Sequence, residues 1–352
     1  MTLPPPSLAA IVARTDARLD EVLATEHARW VAVDDQLGAP IDEIRRMVHS
    51  GGKRLRPAFC TWGYVGLGGE PDDKRVVDAG AAIELMHAFA LFHDDVMDDA
   101  ASRRGAPTTH AVFAQRHGDE SWAGEPRRFG EGVAILVGDL AFVLADQLLA
   151  AAPAAVWQLW NTLRLELNAG QLLDILGSVR RERGIEQAER IARYKSGKYT
   201  IERPLHLGAV LAQPDIGPAR LAELSTYGLP LGDAFQMRDD VIGAFGDTAL
   251  TGKPVGDDLR EGKPTPLLAR AVARASASQR AVLDTVGRPD LDAAAVAAVQ
   301  QVITDTGALA ELEQRIESLA AEAVAAIETV ELADPATAEL VSLAEYVVAR
   351  TT

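Results

Sequence analysis

The sequence predicts an all-α protein, and three observations lead to this prediction. Alanine, leucine, glutamate and arginine dominate the 352 residues, while aromatic residues make up only 5%. No segment shows the alternation of polar and apolar residues, bounded by turn residues, that is typical of a β-strand. Apolar residues instead recur with the period of an α-helix. No flexible linker interrupts the chain, so we expect one helical domain over residues 1–352.

Six segments carry the helical pattern in chain order. They are residues 8–22, 81–99, 133–149, 156–176, 219–245 and 308–330. Segments rich in glycine, proline and polar residues separate them, at 66–73, 118–132, 212–218 and 246–266. The glycine-rich stretch 117–132 lacks the lysine and the helix start that would follow the glycines of a phosphate-binding loop. We therefore expect it to be a plain connection between helices.

The charge balance and the cysteine content exclude several classes of protein. Lys and Arg number 35 against 51 Asp and Glu, a net charge of −16, and no dense basic patch offsets it, so nucleic acid is not an expected partner. The single cysteine, Cys60, excludes an internal disulfide framework and an all-cysteine metal site. In the apolar stretch 133–160, Asp139, Asp146 and Pro153 leave too few uninterrupted apolar residues to cross a membrane. We expect a cytoplasmic protein without stable membrane insertion.

A crowded acidic segment interrupts the helix predicted over 81–99. Residues 92–99 read FHDDVMDD, with four carboxylates in six positions. The four-residue spacing of Asp94 and Asp98 places both side chains on one helix face, where they can bind the same hard cations. Mg²⁺ is the expected cation, because it takes one or two carboxylates together with phosphate oxygens of a substrate. For this segment alone, a solvated helix end is the alternative.

A second acidic segment, QMRDDVIG at 236–243, interrupts the helix predicted over 219–245. If the two acidic helices face each other across a bundle, their carboxylates surround a cavity that holds several Mg²⁺ ions and a diphosphate. Basic segments that complete such an anion site are GGKRLRP at 51–57, RRG at 103–105, Lys195, and Lys253 with Lys263. The spacing predicts that Lys53 and Arg56 lie one helical turn apart. Each basic segment alone is typical of surface charge, so the prediction depends on their combination.

In combination these motifs closely resemble the trans-type polyprenyl diphosphate synthases. The family's motifs match in order between about 51 and 265, as GKRLRP at 52–57, DDVMD at 94–98, RRG at 103–105, Gly138-Asp139, Gly170-Gln171 with Asp174, Lys195, Phe235-Gln236 with Asp239-Asp240, and Gly252-Lys253. The resemblance implies an all-α bundle of roughly ten or more helices around a central cavity, the isoprenoid synthase type. It also implies a homodimer.

The resemblance implies a role for each matching residue. The diphosphate of isopentenyl diphosphate would be bound by Lys53, Arg56, His87 and Arg104. The allylic diphosphate would be held by Arg103, Lys195, Gln236 and Lys253. Three Mg²⁺ ions would be bound, two by Asp94 and Asp98 and one by Asp239, with support from Asp95 and Asp240. The spacing of His87, seven residues before Asp94, also places it on nearly the same helix face, and a satisfied core histidine is the alternative.

The reaction that the resemblance implies is ionisation of the allylic diphosphate followed by attack of the isopentenyl double bond. Mg²⁺ and the basic groups stabilise the departing diphosphate, which is the family's usual proton acceptor. A class I terpene cyclase is one alternative, but it has no need of Lys53, Arg56 and Arg104. A non-catalytic partner subunit is another, but it has no need of intact carboxylates and Lys195.

Two positions depart from the family pattern. Gly243 stands where many members carry a third aspartate, and Ser196 stands where threonine is common. Asp247 lies eight residues after Asp239, on roughly the same helix face, and is a possible substitute for the missing carboxylate. The spacing of 239, 243 and 247 also matches the second metal motif of class I cyclases, although two of the three residue types differ. Either Gly243 weakens the third metal site or Asp247 compensates for it.

Residues below the first acidic motif are expected to form the floor of the apolar tunnel for the growing prenyl chain. Ala90 lies one turn before Asp94, and Phe89 lies five residues before it, about 7.5 Å along the helix axis. An aromatic residue at this fifth position resembles the family members that make geranylgeranyl diphosphate. Ala90 leaves more depth than a second ring would. We expect a C20 product, with farnesyl diphosphate (C15) as runner-up. The alternative is that Phe89 only packs against a neighbouring helix.

Overall fold

The computed structural model describes residues 4–246, 256–288 and 290–350, and helices account for most of them. The α-helices in chain order are α1 Pro6–Val31, α2 Gly38–His49, α3 Leu55–Gly66, α4 Lys74–Met97, α5 Thr109–Asp119, α6 Pro126–Leu148, α7 Ala154–Arg180, α8 Ile185–Ala192, α9 Arg203–Ala212, α10 Pro218–Phe245, α11 Asp257–Glu261, α12 Pro266–Arg274, α13 Ala277–Leu283, α14 Ala293–Asp305, α15 Ala308–Ile327 and α16 Ala336–Val348. A 3₁₀ turn, Asp35–Leu37, precedes α2, and a π-helix, Arg193–Glu202, joins α8 to α9. The all-α prediction is confirmed.

The six segments predicted as helical coincide with helices, except that 81–99, 133–149 and 308–330 run one to three residues past the helix ends. The expected connection at 117–132 is mostly wrong. Helix α5 extends to Asp119 and α6 begins at Pro126, so only residues 120–125 join them. The glycines of this segment misled the prediction, because Gly130 lies inside α6 where its backbone packs closely on α5. A Cβ there would lie 2.1 Å from the carbonyl oxygen of His110. A second difference is a small antiparallel β-ribbon of Ser102–Arg103 with Ala106–Pro107.

Helix α4 runs through the core and carries the first acidic motif at its end. Among the described residues, it is the one helix that is long and apolar enough, by length and composition alone, to cross a membrane. However, 61% of its apolar window is buried inside the protein. Its fully buried side chains include Ile83, Leu85, Met86 and Phe92, which pack with α2, α3, α6 and α9. The apolar character of α4 is therefore that of a core helix.

The π-helix Arg193–Glu202 is held against α7 and α10 by backbone contacts at glycines. A Cβ on Gly170 of α7 would lie 2.3 Å from the backbone nitrogen of Lys195. A Cβ on Gly197 would lie 2.9 Å from the carbonyl carbon of Gly232 in α10. These contacts leave no room for larger residues, so the glycines fix the position of the π-helix between the two helices. This position brings Lys195 next to the acidic motif of α4.

A buried ion pair joins the segment before α3 to α4. Nη1 of Arg54 lies 2.7 Å from Oε2 of Glu84, and both side chains are only 5% exposed. The same guanidinium donates to Oδ1 of Asp16 at 2.8 Å and to the carbonyl oxygen of Val48 at 2.6 Å. Arg54 has a left-handed backbone, with φ of 49°, immediately before α3 begins. The basic motif at 51–57 therefore contains one residue that anchors the fold.

Candidate active site

Two neighbouring cavities bring most of the predicted site residues together. The first has a volume of about 570 Å³ and is rich in basic groups, among them Lys53, Arg56, His87, Arg103, Arg104 and Arg350. The second, of about 380 Å³, is lined by carboxylates and amines, among them Asp94, Asp174, Lys195, Gln236, Asp240 and Lys263. Asp239 lines both cavities. The arrangement places a cation-rich pocket beside a carboxylate-rich pocket.

The first acidic motif has the predicted helical spacing and is neutralised by two lysines. The backbone N–H of Asp98 donates to the carbonyl oxygen of Asp94 at 2.8 Å, which keeps the two residues one turn apart. Nζ of Lys195 donates to Oδ1 of Asp94 at 3.0 Å, and Nζ of Lys263 lies 3.4 Å from Oδ2 of Asp98. Burial opposes ionisation, but the charges of Lys195 and Lys263 lower the pKa of Asp94 to about 2. Asp94 is therefore ionised at neutral pH.

Asp95 lies behind the cavities and contacts Arg103. Its side chain is buried, and Oδ1 accepts a hydrogen bond from Nε of Arg103 at 2.7 Å. Asp95 is not among the residues that line either described cavity. Nη2 of Arg103 also lies 3.5 Å from Oδ2 of Asp94. In this arrangement Asp95 orients Arg103, which suits the supporting role predicted for it better than direct contact with a cation.

The second acidic motif lies on α10 where the two cavities meet. Oδ1 of Asp239 accepts from Nη2 of Arg350 at 2.7 Å. The guanidinium of Arg350 also stacks 4.1 Å from the ring centroid of Phe235. Oδ1 of Asp240 accepts from Nε2 of Gln236 at 2.8 Å, and burial raises the pKa of Asp240 well above its usual range. Gln236 thus orients one carboxylate of the motif, and Arg350 contacts the other.

The carboxylates of the two acidic motifs are oxygen ligands of the kind that Mg²⁺ takes. Among the residues of the described ranges, no three acidic or imidazole groups converge closely enough to hold a metal ion unaided. Mg²⁺ does not require such a cluster, because it takes one or two carboxylates and completes its coordination with phosphate oxygens and water. Oδ2 of Asp240 is buried and has no hydrogen-bond partner, so an acceptor remains in the second cavity for a cation or a group bound to it.

Lys53 and Arg56 line the first cavity, but the helical relation predicted between them is wrong. Helix α3 begins at Leu55, because Gly51, Gly52 and Arg54 adopt positive φ angles that no α-helix contains. Lys53 therefore reaches the cavity from the preceding turn and Arg56 from the first helical turn. Burial and the nearby charge of Arg350 lower the pKa of Lys53 to about 8.

Arg104 completes the basic wall of the first cavity from the β-ribbon. Its backbone is left-handed, with φ of 52°, which turns the chain between Arg103 and Gly105. Its Nη1 donates to Oγ of Ser50 at 3.2 Å and also contacts the carbonyl oxygen of Gly51. Because of this turn in the backbone, the Arg103 side chain extends toward Asp95 and the Arg104 side chain extends toward residues 50–51. This separation agrees with the prediction that the two arginines serve different phosphate groups.

His87 forms a small cluster with Tyr199 and Arg56 at the wall of the first cavity. Its Nδ1 is hydrogen-bonded to the hydroxyl of Tyr199, and the guanidinium of Arg56 stacks 4.5 Å from the Tyr199 ring centroid. Burial and the charges of Arg56 and Arg104 hold the pKa of His87 well below its usual range, so the imidazole is neutral. When Tyr199 donates to Nδ1, the ring proton stays on Nε2, where it can be donated to an anion.

The two residues predicted for the tunnel floor lie on α4 and are partly buried. The Phe89 ring packs on Phe142 of α6, with 4.8 Å between centroids, and on His93, with 4.7 Å. Ala90 packs at the edge of the same apolar core. Arg164 of α7 stacks on the other aromatic partner, 4.7 Å from the centroid of Phe142. Lys253 and Asp247 lie outside the described residues.

Several residues of the site were not assigned by the sequence. Asp174 accepts from Lys195 at 2.6 Å, and Gln171 donates to Asp94 at 2.9 Å. Both residues belong to family motifs, so the sequence alone could have assigned them to the site. Tyr199 and Arg350 carried no such signal, because each reaches the site only through long-range packing. Lys263 was noted only as one of several scattered basic residues.

Several known proteins are similar to this chain in sequence and structure. The model for the polyprenyl synthetase family matches residues 40–305. Geranylfarnesyl diphosphate synthase of Aeropyrum pernix is 32% identical over 318 residues, covering 86% of this chain and 92% of the relative. Geranylgeranyl diphosphate synthase of Mycobacterium tuberculosis is 37% identical over 236 residues, covering 65% of this chain and 61% of the relative.

A solved structure resembles the whole chain. It is the crystal structure of geranylgeranyl pyrophosphate synthase from Corynebacterium glutamicum, complexed with isoprenyl diphosphate and magnesium. The two chains are 36% identical, with a TM-score of 0.90, and the match covers 96% of this chain and 97% of the other. Fold, motifs and sequence similarity therefore agree that the chain belongs to the polyprenyl synthetase family and is a trans-prenyltransferase.

Proposed function

We propose that the enzyme condenses isopentenyl diphosphate with an allylic diphosphate and releases geranylgeranyl diphosphate. The observation that carries this proposal is the pairing of a cation-rich cavity with a carboxylate-lined cavity, both bounded by Asp239. The first has the charge to bind one diphosphate directly, and the second has the charge to bind another together with Mg²⁺. A terpene cyclase needs only the second cavity.

The basic groups of the first cavity would hold the diphosphate of isopentenyl diphosphate. Arg56 and Arg104 offer planar guanidinium groups, which suit bidentate contacts with phosphate oxygens. The neutral imidazole of His87 would add an N–H donor that needs no proton uptake. Lys53 would add an ammonium group, and the fraction of it that is protonated depends on pH because its pKa is about 8. These groups would hold isopentenyl diphosphate, whose double bond is the nucleophile. The neighbouring cavity would receive the allylic substrate.

The groups of the second cavity would hold the allylic diphosphate as it departs. Lys195 and Gln236 line this cavity from the π-helix and α10, and Arg103 lies within contact of Asp94. We propose three Mg²⁺ ions, held by Asp94, Asp98 and Asp239, which would neutralise the charge that the leaving diphosphate acquires. Lys195 and Arg103 would add fixed positive charge to the same group. The role predicted for Lys253 stays part of this proposal.

The C20 product length is inferred from the aromatic pair below the first acidic motif. The rings of Phe89 and Phe142, with 4.8 Å between their centroids, would close the space between α4 and α6 about five residues below Asp94. Ala90, one turn before Asp94, has a small side chain that would leave room for a prenyl chain on that side of the helix. Relatives named for C20 and C25 products are among the similar proteins. Farnesyl diphosphate remains the second candidate product.

We further propose that the enzyme is a homodimer joined through α6 and α7. Leu165, Leu172 and Val179 are 71%, 57% and 73% exposed on α7, and their seven-residue spacing puts them on one face. Leu136 and Val143 of α6 are likewise exposed and seven residues apart. A second copy of this chain is the occupant expected for such aliphatic faces. Sedimentation should show a dimer that Leu172→Glu converts to a monomer.

A cytoplasmic location is part of the same proposal. Cys60 is buried, and burial raises the pKa of its thiol to about 12, so it is suited neither to a disulfide nor to reactive chemistry. Helix α4, the one helix of the described residues that is long and apolar enough to cross a membrane, has 61% of its apolar window buried inside the protein. Both features agree with the expectation from composition.

A product assay tests the proposed function. Purified protein is incubated with Mg²⁺, labelled isopentenyl diphosphate and each allylic primer in turn, and the dephosphorylated alcohols are resolved by length. A C20 alcohol is expected. A C15, C25 or longer alcohol would contradict the tunnel-floor assignment and leave the enzyme class intact. A cyclic hydrocarbon from an allylic substrate alone, with no isopentenyl incorporation, would identify a cyclase. A protein inactive with every primer would be a partner subunit.

A further inference from the structure

Helix α7 contacts the π-helix Arg193–Glu202 at two points that both lie at Lys195. Oδ2 of Asp174 accepts a hydrogen bond from Nζ of Lys195 at 2.6 Å. One turn earlier on α7, a Cβ on Gly170 would lie 2.3 Å from the backbone nitrogen of Lys195. Because both contacts involve the same residue, they hold one point of the π-helix and leave its rotation about that point to other contacts.

Glu166 makes a third contact, one further turn toward the start of α7. The four-residue spacing of Glu166, Gly170 and Asp174 places all three on one face of the helix. Oε1 of Glu166 lies 2.6 Å from Nζ of Lys198, near the middle of the π-helix. The same carboxylate accepts hydrogen bonds from Nε and Nη2 of Arg203, at 2.6 and 2.7 Å, where α9 begins. Glu166 therefore holds the π-helix at its middle and just beyond its end.

The contacts of Glu166 belong to a cluster of charged groups that is largely shielded from solvent. The side chains of Glu166, Lys198 and Arg203 are between 12% and 17% exposed. Nζ of Lys198 also lies 3.6 Å from Oε2 of Glu202, whose carboxylate accepts from the hydroxyl of Ser225 on α10 at 2.7 Å. Burial raises the pKa of Glu166, but the hydrogen bonds from Arg203 and Lys198 lower it overall, so the carboxylate is ionised at neutral pH. Glu166 thus brings a fixed negative charge from α7 to two cations of the π-helix and α9.

We propose that Glu166 is a positioning residue for prenyl transfer and acts by fixing the rotation of the π-helix. A ten-residue π-helix is longer than the single turns in which this conformation usually occurs, so it needs contacts from its neighbours. Lys198, the partner of Glu166, lies between Lys195 and Tyr199 in sequence. In the observed rotation, Lys195 donates to a carboxylate of the first acidic motif at 3.0 Å, and Tyr199 is hydrogen-bonded to His87. The proposal rests on the proposed function, because that function assigns Lys195 and His87 to the two diphosphates.

Steady-state kinetics test this role with a variant of matched shape. Glu166→Gln removes the charge and should raise KM for both the allylic diphosphate and isopentenyl diphosphate by about 5- to 50-fold, because Lys195 and Tyr199 lose the same support. Asp146→Asn is the matched control, since it breaks a two-point contact with Arg164 of the same helix, at 2.9 and 3.0 Å. The control should lower the melting temperature by a similar amount and leave both KM values unchanged.

A double-mutant cycle tests whether Glu166 acts through Lys195. The allylic diphosphate that supports turnover is titrated into each protein by calorimetry, with Mg²⁺ and without isopentenyl diphosphate. Glu166→Gln should weaken its binding by about 5- to 50-fold in the wild-type background. In the Lys195→Met background it should have little further effect, because the group that it positions is absent. If Glu166→Gln does not fold, Lys198→Met serves both tests, since it removes the contact at the middle of the π-helix and leaves Arg203 paired with Glu166.

Three outcomes would contradict the proposal. Unchanged KM values together with a lower melting temperature would make Glu166 purely structural, and so would KM values that rise equally in Asp146→Asn. Equal losses of affinity with and without Lys195 would show that the carboxylate acts independently of that lysine. A wild-type protein that binds no allylic diphosphate and turns over no primer would instead overturn the proposed function, so the wild-type measurements separate the two failures.

Discussion

Nζ of Lys195 bridges two carboxylates of the active site, lying 3.0 Å from Oδ1 of Asp94 and 2.6 Å from Oδ2 of Asp174. The Lys195 side chain is partly buried, and these carboxylates raise its pKa although burial acts to lower it. Its position depends on Gly170, which allows the π-helix to lie directly on α7. The bridge keeps Lys195 charged in the lining of the carboxylate-lined cavity, where the allylic diphosphate is proposed to bind.

Asp94→Asn should abolish turnover while leaving the fold intact. It removes one charge from the proposed Mg²⁺ site, and loss of a group that stabilises the leaving diphosphate should cost at least about 10²–10³-fold in kcat. Asp99→Asn is the control, because the side chain of Asp99 is 65% exposed and lies 3.5 Å from Arg127. Steady-state kinetics and circular dichroism measure both effects. An unfolded Asp94→Asn protein would show that this aspartate has a structural role.

The affinity for isopentenyl diphosphate should fall as pH rises through about 8. Lys53 has its pKa lowered to about 8 by burial and by the charge of Arg350, so the free enzyme loses this ammonium above that pH. A bound diphosphate favours the charged form, so KM for isopentenyl diphosphate should rise by up to about tenfold per pH unit above 8. Lys53→Arg, which stays charged, should abolish this rise, and Lys74→Arg on the exposed start of α4 should keep it. A pH dependence retained by Lys53→Arg would assign it to another group.

Tyr199→Phe should raise KM for isopentenyl diphosphate more than it lowers kcat. The substitution keeps the ring beneath Arg56 but leaves Nδ1 of His87 without its partner. Losing a buried hydrogen bond in this way costs about 1–3 kcal/mol, or roughly 5- to 100-fold in KM. Tyr194→Phe, in the same π-helix and stacked with Lys198, is the matched control. Equal losses in both variants would mean that the hydroxyl of Tyr199 has no specific positioning role.

Chemistry that depends on local spacing could be predicted from the sequence. The helices, the face shared by Asp94 and Asp98, and the clustering of basic motifs all follow from residue types at helical spacing. Tyr199 could not be found in this way, because it lies in a π-helix whose wider turn the α-helical period does not describe. Arg350 contacts Asp239 across 111 residues of sequence, and only tertiary packing brings them together.

The turn before α3 shows a second limit of local reasoning. The spacing of Lys53 and Arg56 predicted that they share a helical turn. The helix begins only at Leu55, however, because Gly51, Gly52 and Arg54 have positive φ angles. The left-handed conformation of Arg54 accompanies its buried contact with Glu84, a partner thirty residues away that no local pattern specifies. The contact of Gly243 with Asp258 of α11, whose Oδ2 would lie 1.9 Å from a Cβ on that glycine, is similar, since the glycine was visible in the sequence and its partner was not.

Arg54→Met should destabilise the fold strongly. It leaves Glu84, which is 5% exposed and already has an unpartnered Oε1, without its ion-pair partner. Breaking one side of a buried ion pair costs about 3–5 kcal/mol of the free energy of unfolding. Chemical denaturation measures the loss, and the double variant Arg54→Met/Glu84→Gln should recover part of it, because the stranded charge is then absent. A loss below about 1 kcal/mol would show that the pair is compensated by solvent.

Phe89→Ala should lengthen the products if the aromatic pair closes the tunnel. The ring of Phe89 contacts Phe142, and removing it opens space below Ala90 without touching the charged groups of either cavity. The alcohols recovered after dephosphorylation should shift from C20 toward C25 and longer chains, with turnover retained. Phe129→Ala removes a partly buried ring from the first turn of the same helix that carries Phe142, so it controls for general loosening of α6 and should leave product length unchanged. An unchanged product distribution in Phe89→Ala would mean that this ring only packs α4 on α6, and the length limit would then have to lie deeper, on another helix.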